Sequence, residues 1–316
     1  MNILIFTPGG QEARRYRQLC AEALPAATIN AASSAEEAEP FAGQAEILVG
    51  WKFPDSIFQK ARSLRWIHKL GAGVDDVAFR GDLPTDIVLT RNEGAALAPR
   101  MVEYVVAAVF ALSQRLHLCM RNQQRRAWKP VRTDLTTDKV VGVAGLGDIG
   151  SLVARRMTEN GMRVVGWRRS TLRDVPFVDH VYCGDEEFDD FLSVTDFLVS
   201  VLPATPQTRH LFNADTFATM KRTACFINIG RGTSVDEVAL AHALRTGVIN
   251  GAVLDVFEQE PLSPDSELWD LENLIITPHM SGPIIPEDAV PVFLENVRRF
   301  AAGEKLLKQI DRTRGY

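Results

Sequence analysis

One stretch near the middle of the chain constrains its fold more than any other. Val140-Val-Gly-Val-Ala-Gly145-Leu-Gly147-Asp148-Ile149-Gly150 is a Val-rich run that ends in G-x-G-x-x-G and leads into a helix-compatible segment. An apolar, β-branched run predicts a buried strand. Gly145 allows a tight turn out of that strand. Gly147 has no side chain, so a pyrophosphate can approach the backbone. Gly150 lets the next helix pack close to the strand. Phosphates then meet free N–H groups at the helix N-terminus. The pattern alone is a weak signal, equally that of a Gly-rich turn. The strand before it and the helix after it point to a dinucleotide site.

The fingerprint places an acid about 20 residues further on, to hold the ribose 2′-OH. Here the second strand, Met162-Arg-Val-Val-Gly-Trp167, continues into Arg168-Arg169-Ser170 with no acid at its tip. Two guanidiniums and a hydroxyl suit a 2′-phosphate, because Arg makes charge-assisted, often bidentate bonds to phosphate. The bland alternative is a solvated basic turn. NADP(H) is therefore the preferred cofactor, with NAD(H) possible.

The fingerprint begins only after a complete first α/β series. Asn2–Phe6, Ile47–Gly50, Trp66–Leu70 and Ile87–Thr90 read as strands, with helices or turns at Glu12–Ala23, Pro54–Ala61 and Val74–Phe79. A long helix is predicted over Pro99–His117. From Val140 a second series carries strands at Val140–Gly145, Val164–Trp167, Phe197–Leu202, Cys225–Ile229, Val253–Phe257 and Leu274–Thr277. Ser234 with Glu237 forms a capping-box pattern for a helix over Ser234–Thr246, and Gly247 is its C-cap. Pro286–Ala302 reads as a last helix. Alternating strands and helices predict an α/β protein with parallel sheets. A cofactor domain over residues 97–285 would be inserted into a domain made of residues 1–96 and 286–316. The cleft between the two is the expected active site.

Composition narrows the class. A chain of 316 residues with 46% hydrophobic and 24% charged residues is that of an ordinary globular protein with room for two domains. The net charge of −5 argues against a nucleic-acid partner. No apolar run approaches a membrane span. The start, Met1-Asn-Ile-Leu-Ile-Phe6, has neither basic region nor cleavage pattern and does not read as a signal peptide. Cys20, Cys119, Cys183 and Cys225 are widely spaced and fit free thiols in a reducing cytoplasm. His68, His117, His180, His210 and His242 have no motif context, and no metal is expected.

Three ionisable residues stand at the ends of apolar strands: Arg231 after Ile227-Asn-Ile-Gly230, Glu260 after Val253–Phe257, and His279 after Ile275-Ile-Thr-Pro278. In an open parallel sheet these ends form the ligand crevice. Arg can bind a carboxylate and polarise a carbonyl. His can exchange a proton with the carbonyl or hydroxyl oxygen. Glu favours the protonated imidazole.

The strings Asn228-Ile-Gly-Arg231-Gly-Thr, Leu254-Asp-Val-Phe-Glu-Gln-Glu260-Pro-Leu and Thr277-Pro-His279, with the mid-chain Gly-rich loop, resemble the D-2-hydroxyacid dehydrogenases across nearly the whole chain. Within that family the features Leu70-Gly-Ala-Gly73-Val-Asp, Met101-Val-Glu-Tyr104, Trp128-Lys-Pro130, Trp167-Arg-Arg-Ser170 and Asp311–Tyr316 resemble the bacterial glyoxylate/hydroxypyruvate reductases of the A type.

The resemblance implies two Rossmann-like domains, a flavodoxin-like substrate domain and an inserted dinucleotide-binding domain. It makes Arg231, Glu260 and His279 the catalytic set. It implies substrate contacts from Trp51, from the amides of Ala72 and Gly73, and from Arg231 and His279. Cofactor contacts are implied at Gly145, Gly147, Asp148, Ile149, Gly150, Trp167, Arg168, Arg169, Ser170, Leu202, Pro203, Ile229 and Gly230, and at Asp255 near the nicotinamide carboxamide. It also implies a homodimer, through the region that follows Pro99. Glu103 and Tyr104 read as packing or helix-face residues, and Trp51 and Trp128 could equally be core or interface aromatics. The segment His279-Met-Ser-Gly282-Pro-Ile-Ile-Pro286 departs from the His-Ile-Ala or His-Ile-Gly of many members.

The reaction implied is NADPH-dependent reduction of a small 2-oxo acid to a 2-hydroxy acid. Two rivals share the fold. One is an NAD(P)-dependent dehydrogenase for another small acid such as phosphite or formate; the triad favours the 2-oxo acid, but related phosphite enzymes share it, and an assay decides between them. The other is a cofactor-sensing corepressor, disfavoured because no tail extends beyond the two domains.

Overall fold

The structure, a computed structural model, describes residues 1–92, 97–169 and 175–312. The chain divides into two compact units, Met1–Leu97 with Ile284–Tyr316, and Ala98–Pro283. Each is built on one sheet, and the strands of each sheet run parallel.

The first unit runs β1 (Asn2–Phe6), α1 (Gly10–Ala23), β2 (Thr28–Ala32), α2 (Ala35–Ala42), β3 (Ile47–Gly50), α3 (Asp55–Lys60), β4 (Trp66–Lys69), α4 (Asp75–Ala78) and β5 (Val88–Arg91). Its strand order is β2-β1-β3-β4-β5. The order turns back at β1 and β3, so the crevice at their carboxyl ends is a topological switch point. Trp51 directly follows β3, and Leu70-Gly71-Ala72-Gly73 follows β4. Burial on both faces explains the continuous apolar character of β3; β4 is equally buried although it carries His68 and Lys69. The free edge of β5 is covered: Ile310 N–H donates to Leu89 O, and Arg91 N–H to Lys308 O. β2 and α2 carry little signal in the sequence. Thr28-Ile-Asn-Ala-Ala32 has one large apolar residue, and the sheet, not propensity, makes it a strand.

The second unit begins with α5 (Leu97–Ser113) and α6 (Leu116–Gln124). The predicted single helix breaks at Arg115, which is left-handed at φ 54°, and the two pieces bend by 67°. A non-glycine residue in that conformation ends the helical path. Buried Met101, Val102, Val105, Ala108, Val109 and Leu112 show that the apolar stripe of α5 is core. Among the described residues no single helix is long and apolar enough to cross a membrane.

There follow β6 (Val140–Ala144), α7 (Asp148–Glu159), β7 (Arg163–Arg168), β8 (His180–Cys183), α8 (Phe188–Val194), β9 (Phe197–Ser200), α9 (Ala214–Thr219), β10 (Cys225–Asn228), α10 (Glu237–Thr246), β11 (Gly251–Leu254) and β12 (Leu274–Ile276). The order β12-β11-β10-β9-β6-β7-β8 turns back between β6 and β9, beside the Gly-rich loop. Strands β10, β11 and β12 are neighbours, so the loops at their carboxyl ends share one edge of the sheet. A last helix, α11 (Pro286–Ala301), belongs to the first unit, where Phe293 and Phe300 lie 5.4 Å from the Trp66 ring.

The predicted capping box is corrected. Asp236 caps α10 by accepting from Ala239 N–H, and Ser234 Oγ donates to Arg231 O. Glu237 instead accepts the amide of Glu258 at 2.7 Å. The C-cap stands as read, with Gly247 left-handed at φ 71°.

Candidate active site

The Gly-rich loop has the shape its glycines imply. Gly145 sits at φ 99°, a region open to glycine. A Cβ on Gly150 would fall 1.9 Å from Gly145 O, whereas one on Gly147 would meet nothing within 4 Å. The helix is thus packed tightly onto the loop while its tip stays open for a phosphate. Asp148 and Ile149 open α7 above it.

At the tip of β7, Arg168 Nε is buried without a hydrogen-bond partner among the described residues. Arg169 donates to Gln207 O at 3.1 Å. Ser170 lies outside the described residues. Trp167 is buried against Phe188 and donates to Gly184 O, so its side chain is core, and only its main chain is left to meet a cofactor. Leu202 and Ile229 are buried, and the Gly230 amide is tied to Asn228 Oδ1. A Cβ on Gly230 would fall 2.6 Å from Leu202 O, so the loops after β9 and β10 touch backbone to backbone. An open glycine tip with a buried, unpaired guanidinium nitrogen at the neighbouring strand end fits a dinucleotide carrying a 2′-phosphate.

The three ionisable residues come from three adjacent loops. Arg231 is fixed through its main chain: its carbonyl accepts from Asn228 Nδ2 at 3.0 Å and from Ser234 Oγ at 2.7 Å. Glu260 accepts the Phe257 amide on Oε1 and pairs with His279 Nδ1 through Oε2 at 2.8 Å. With Nδ1 taken, Nε2 is the ring atom through which His279 can exchange a proton. His279 is about half exposed, as such an exchange requires.

His279 adopts φ 51°, costly for a residue with a Cβ. The turn that carries it is pinned by Asp255, which follows β11 and is fully buried. Its carboxylate accepts from Thr277 Oγ1 at 2.5 Å and from the amides of Met280 and Ser281, both at 2.8 Å. Its carbonyl accepts the His279 amide. Thr277 Oγ1 also meets Tyr104 Oη of α5 at 2.6 Å. Burial, and more weakly the Asp255 charge, push the Tyr104 phenol up to about 12, against the opposing pull of its bond to Thr277. Tyr104 thus makes a hydrogen bond in addition to its packing on α5. Its partner is 173 positions away, and no local signal marks such a pair. The Met280–Pro283 departure lies in the same held segment, with Pro283 O accepting from Arg100.

In the other unit, Trp51 lies against the loop after β4, where a Cβ on Gly71 would fall 2.4 Å from its ring. Lys69 is buried and bonds both oxygens of Asp76 at 2.7 and 2.6 Å, bracketing Leu70 to Asp75. Ala72 and Gly73 are half-buried within that bracket, and Arg91 reaches Ala72 O at 3.4 Å. Trp128 is 99% exposed and is no core residue of this chain.

Residues 106–281 match the family model for the NAD-binding domain of D-isomer specific 2-hydroxyacid dehydrogenases. The chain is 30% identical to glyoxylate/hydroxypyruvate reductase A of Yersinia enterocolitica, with 100% of each chain covered. The chain belongs to the D-isomer specific 2-hydroxyacid dehydrogenases. This is a family of NAD(P)-dependent oxidoreductases, and Arg231, Glu260 and His279 stand on its dinucleotide-binding unit.

Two solved members are also similar. One is a D-isomer specific 2-hydroxyacid dehydrogenase from Xanthobacter autotrophicus in complex with NADPH and MES, at a TM-score of 0.90 and 36% identity over 99% of both chains. The other is an NADPH-dependent glyoxylate/hydroxypyruvate reductase from Sinorhizobium meliloti in complex with NADP and sulfate, at 0.90 and 32% over 100% of this chain and 99% of that one.

Proposed function

We propose that this protein uses NADPH to reduce small 2-oxo acids such as glyoxylate and hydroxypyruvate, giving glycolate and D-glycerate. The observation that carries the reading is the His279–Glu260 pair, with Nδ1 bonded and Nε2 left for proton exchange. Bound NADPH supplies a hydride to the carbonyl carbon. His279 delivers its Nε2 proton to the carbonyl oxygen, and Glu260 stabilises the protonated ring before transfer. Arg231 binds the carboxylate with its planar fork and polarises the carbonyl. The amides of Ala72 and Gly73 serve as further carboxylate donors, and Trp51 shapes the substrate end of their loop.

Gly145 to Gly150 are the seat of the pyrophosphate, with Leu202, Pro203, Ile229 and Gly230 beside the cofactor. Arg168 and Arg169, with Ser170, read the 2′-phosphate. The names of the A-type reductases support the substrate class, and the NADPH and NADP complexes of the solved members support the cofactor. The reading also makes the enzyme cytoplasmic and a homodimer. Exposed Leu116, Met120, Trp128 and Leu135 supply an apolar surface for a second copy.

Steady-state kinetics over a panel of 2-oxo acids with both cofactors tests the reading. Glyoxylate and hydroxypyruvate with NADPH are expected to give the highest kcat/KM. Losing one charged hydrogen bond costs about 1.5–3 kcal/mol. Arg168→Ala is therefore expected to raise the NADPH KM by about ten- to a hundredfold and leave NADH use little changed. Equal loss with both cofactors, or a wild-type preference for NADH, refutes the 2′-phosphate assignment.

A further inference from the structure

We infer that Tyr104 and Thr277 are positioning residues for His279, acting through Asp255 as a one-way chain of hydrogen bonds that holds the proton-transfer turn in its strained conformation. The inference rests on the proposed role of His279 as the proton donor. The direction of the chain follows from donor count. Asp255 offers only acceptors to its neighbours, so the single Thr277 hydroxyl proton points to Asp255 Oδ1. Thr277 Oγ1 is then an acceptor toward Tyr104, and the phenol must donate. A phenol held up to about 12 keeps that proton throughout the working pH range.

The chain runs from helix α5 to the loop after β12 and ends on a buried carboxylate that also takes the Met280 and Ser281 amides. The His279 main chain is enclosed on both sides. Its own amide donates to Asp255 O, and the two following amides donate to the Asp255 side chain. A left-handed histidine survives only where its surroundings over-determine it, and these bonds supply that restraint. The chain touches neither His279 ring atom. It acts on where the ring stands, while Glu260 acts on its charge.

Three variants separate the links. Thr277→Val keeps the shape of the side chain and removes both bonds, Thr277→Ser keeps the hydroxyl, and Tyr104→Phe removes only the outer donor. With a 2-oxo acid that the wild type reduces, Thr277→Val is expected to lower kcat about tenfold or more and Tyr104→Phe about three- to fivefold. The NADPH KM should stay unchanged, and Thr277→Ser should restore kcat to within twofold of wild type. The Tyr104→Phe/Thr277→Val double variant should lose no more than Thr277→Val alone, because both act through one chain.

A parallel readout needs no turnover. In enzyme labelled at the histidine ring carbons, the His279 resonance, assigned by its loss in His279→Gln, should move in Thr277→Val and return in Thr277→Ser. If the wild type reduces no 2-oxo acid while the resonance behaves this way, the proposed function fails and the positioning role stands. An unmoved resonance overturns the inference. So does a lowered melting temperature with kcat unchanged, or a loss confined to the NADPH KM.

Discussion

His68, within a strand of one sheet, and His279, just beyond a strand of the other, are treated in opposite ways. His68 lies within β4, fully buried, its ring 5.2 Å from Phe293 and 5.8 Å from Trp66. Its Nδ1 meets Thr90 Oγ1 at 2.8 Å, and that hydroxyl also takes the Trp66 indole N–H. Among the described residues its Nε2 has no partner and no carboxylate is bonded to the ring, and burial drives its pKa down to about 3. His279 stands three positions beyond β12, half exposed, with a carboxylate on Nδ1. One ring is a packing element held neutral by desolvation. The other is placed where a proton can enter and leave. The position relative to the strand end, and the acid supplied by the neighbouring loop, make the difference, because an imidazole can titrate only where its charged form is solvated or paired.

The largest expected effect breaks the comparison at the exposed member. His279→Ala should lower reductive turnover by about 10²–10⁴-fold, the usual contribution of a positioned general acid. NADPH binding, followed by fluorescence titration, and the melting temperature should change little. Equal substitution at His68 should leave kcat of the folded enzyme close to wild type and lower stability instead. Glu260→Gln sharpens the same contrast. Glutamine can still bond Nδ1 but carries no charge, so kcat should fall about tenfold or more while the NADPH KM stays unchanged. An unchanged kcat would make Glu260 structural, with Arg231 and His279 left to carry the chemistry.

The contrast between the two histidines also marks what could be read from sequence. His279 announces itself because Pro278 and a three-residue apolar strand precede it, and because Arg231 and Glu260 stand at equivalent points of two other apolar runs. Buried parallel strands such as Ile47-Leu-Val-Gly50 and Val140–Ala144 are continuous apolar runs, legible one at a time. Elements defined by their neighbours were not. β8, His180-Val-Tyr-Cys183, is a strand because β7 offers it a ladder. The break at Arg115 has no glycine or proline to announce it. The Ser234–Glu237 spacing matched a capping box, yet Glu237 reaches the Glu258 amide, a bond that exists only once α10 packs beside the loop after β11. Site residues that act through another side chain fall in the same class. Tyr104, Thr277 and the bracketing pair Lys69–Asp76 are set by tertiary approach rather than by spacing. By contrast, the Arg168-Arg169 pair proposed for the 2′-phosphate stands in the sequence as two consecutive residues.

The smallest expected effect concerns the buried member and is a matter of stability alone. The folded-state pKa of His68 lies near 3, against 6.5 for the free side chain. The folded protein therefore keeps this ring neutral at pH values where the unfolded chain binds a proton. Between those limits the unfolded state holds more protons, so stability falls as pH is lowered. The contribution is complete above about pH 6.5 and is lost progressively below it, at up to about 1.4 kcal/mol per pH unit. Urea unfolding of wild type at pH 7 and pH 5 should differ by about 2 kcal/mol more than the same pair of measurements on His68→Leu. Leucine keeps the apolar volume near Trp66 and Phe293 but gives up the Thr90 bond, so its stability at pH 7 should be lower by about 1 kcal/mol. The two chains should converge, or cross, as the pH falls. Parallel losses in wild type and His68→Leu would mean that the ring gains a proton in the folded state without resistance. The division between a silent and a working histidine would then rest on Glu260 rather than on burial.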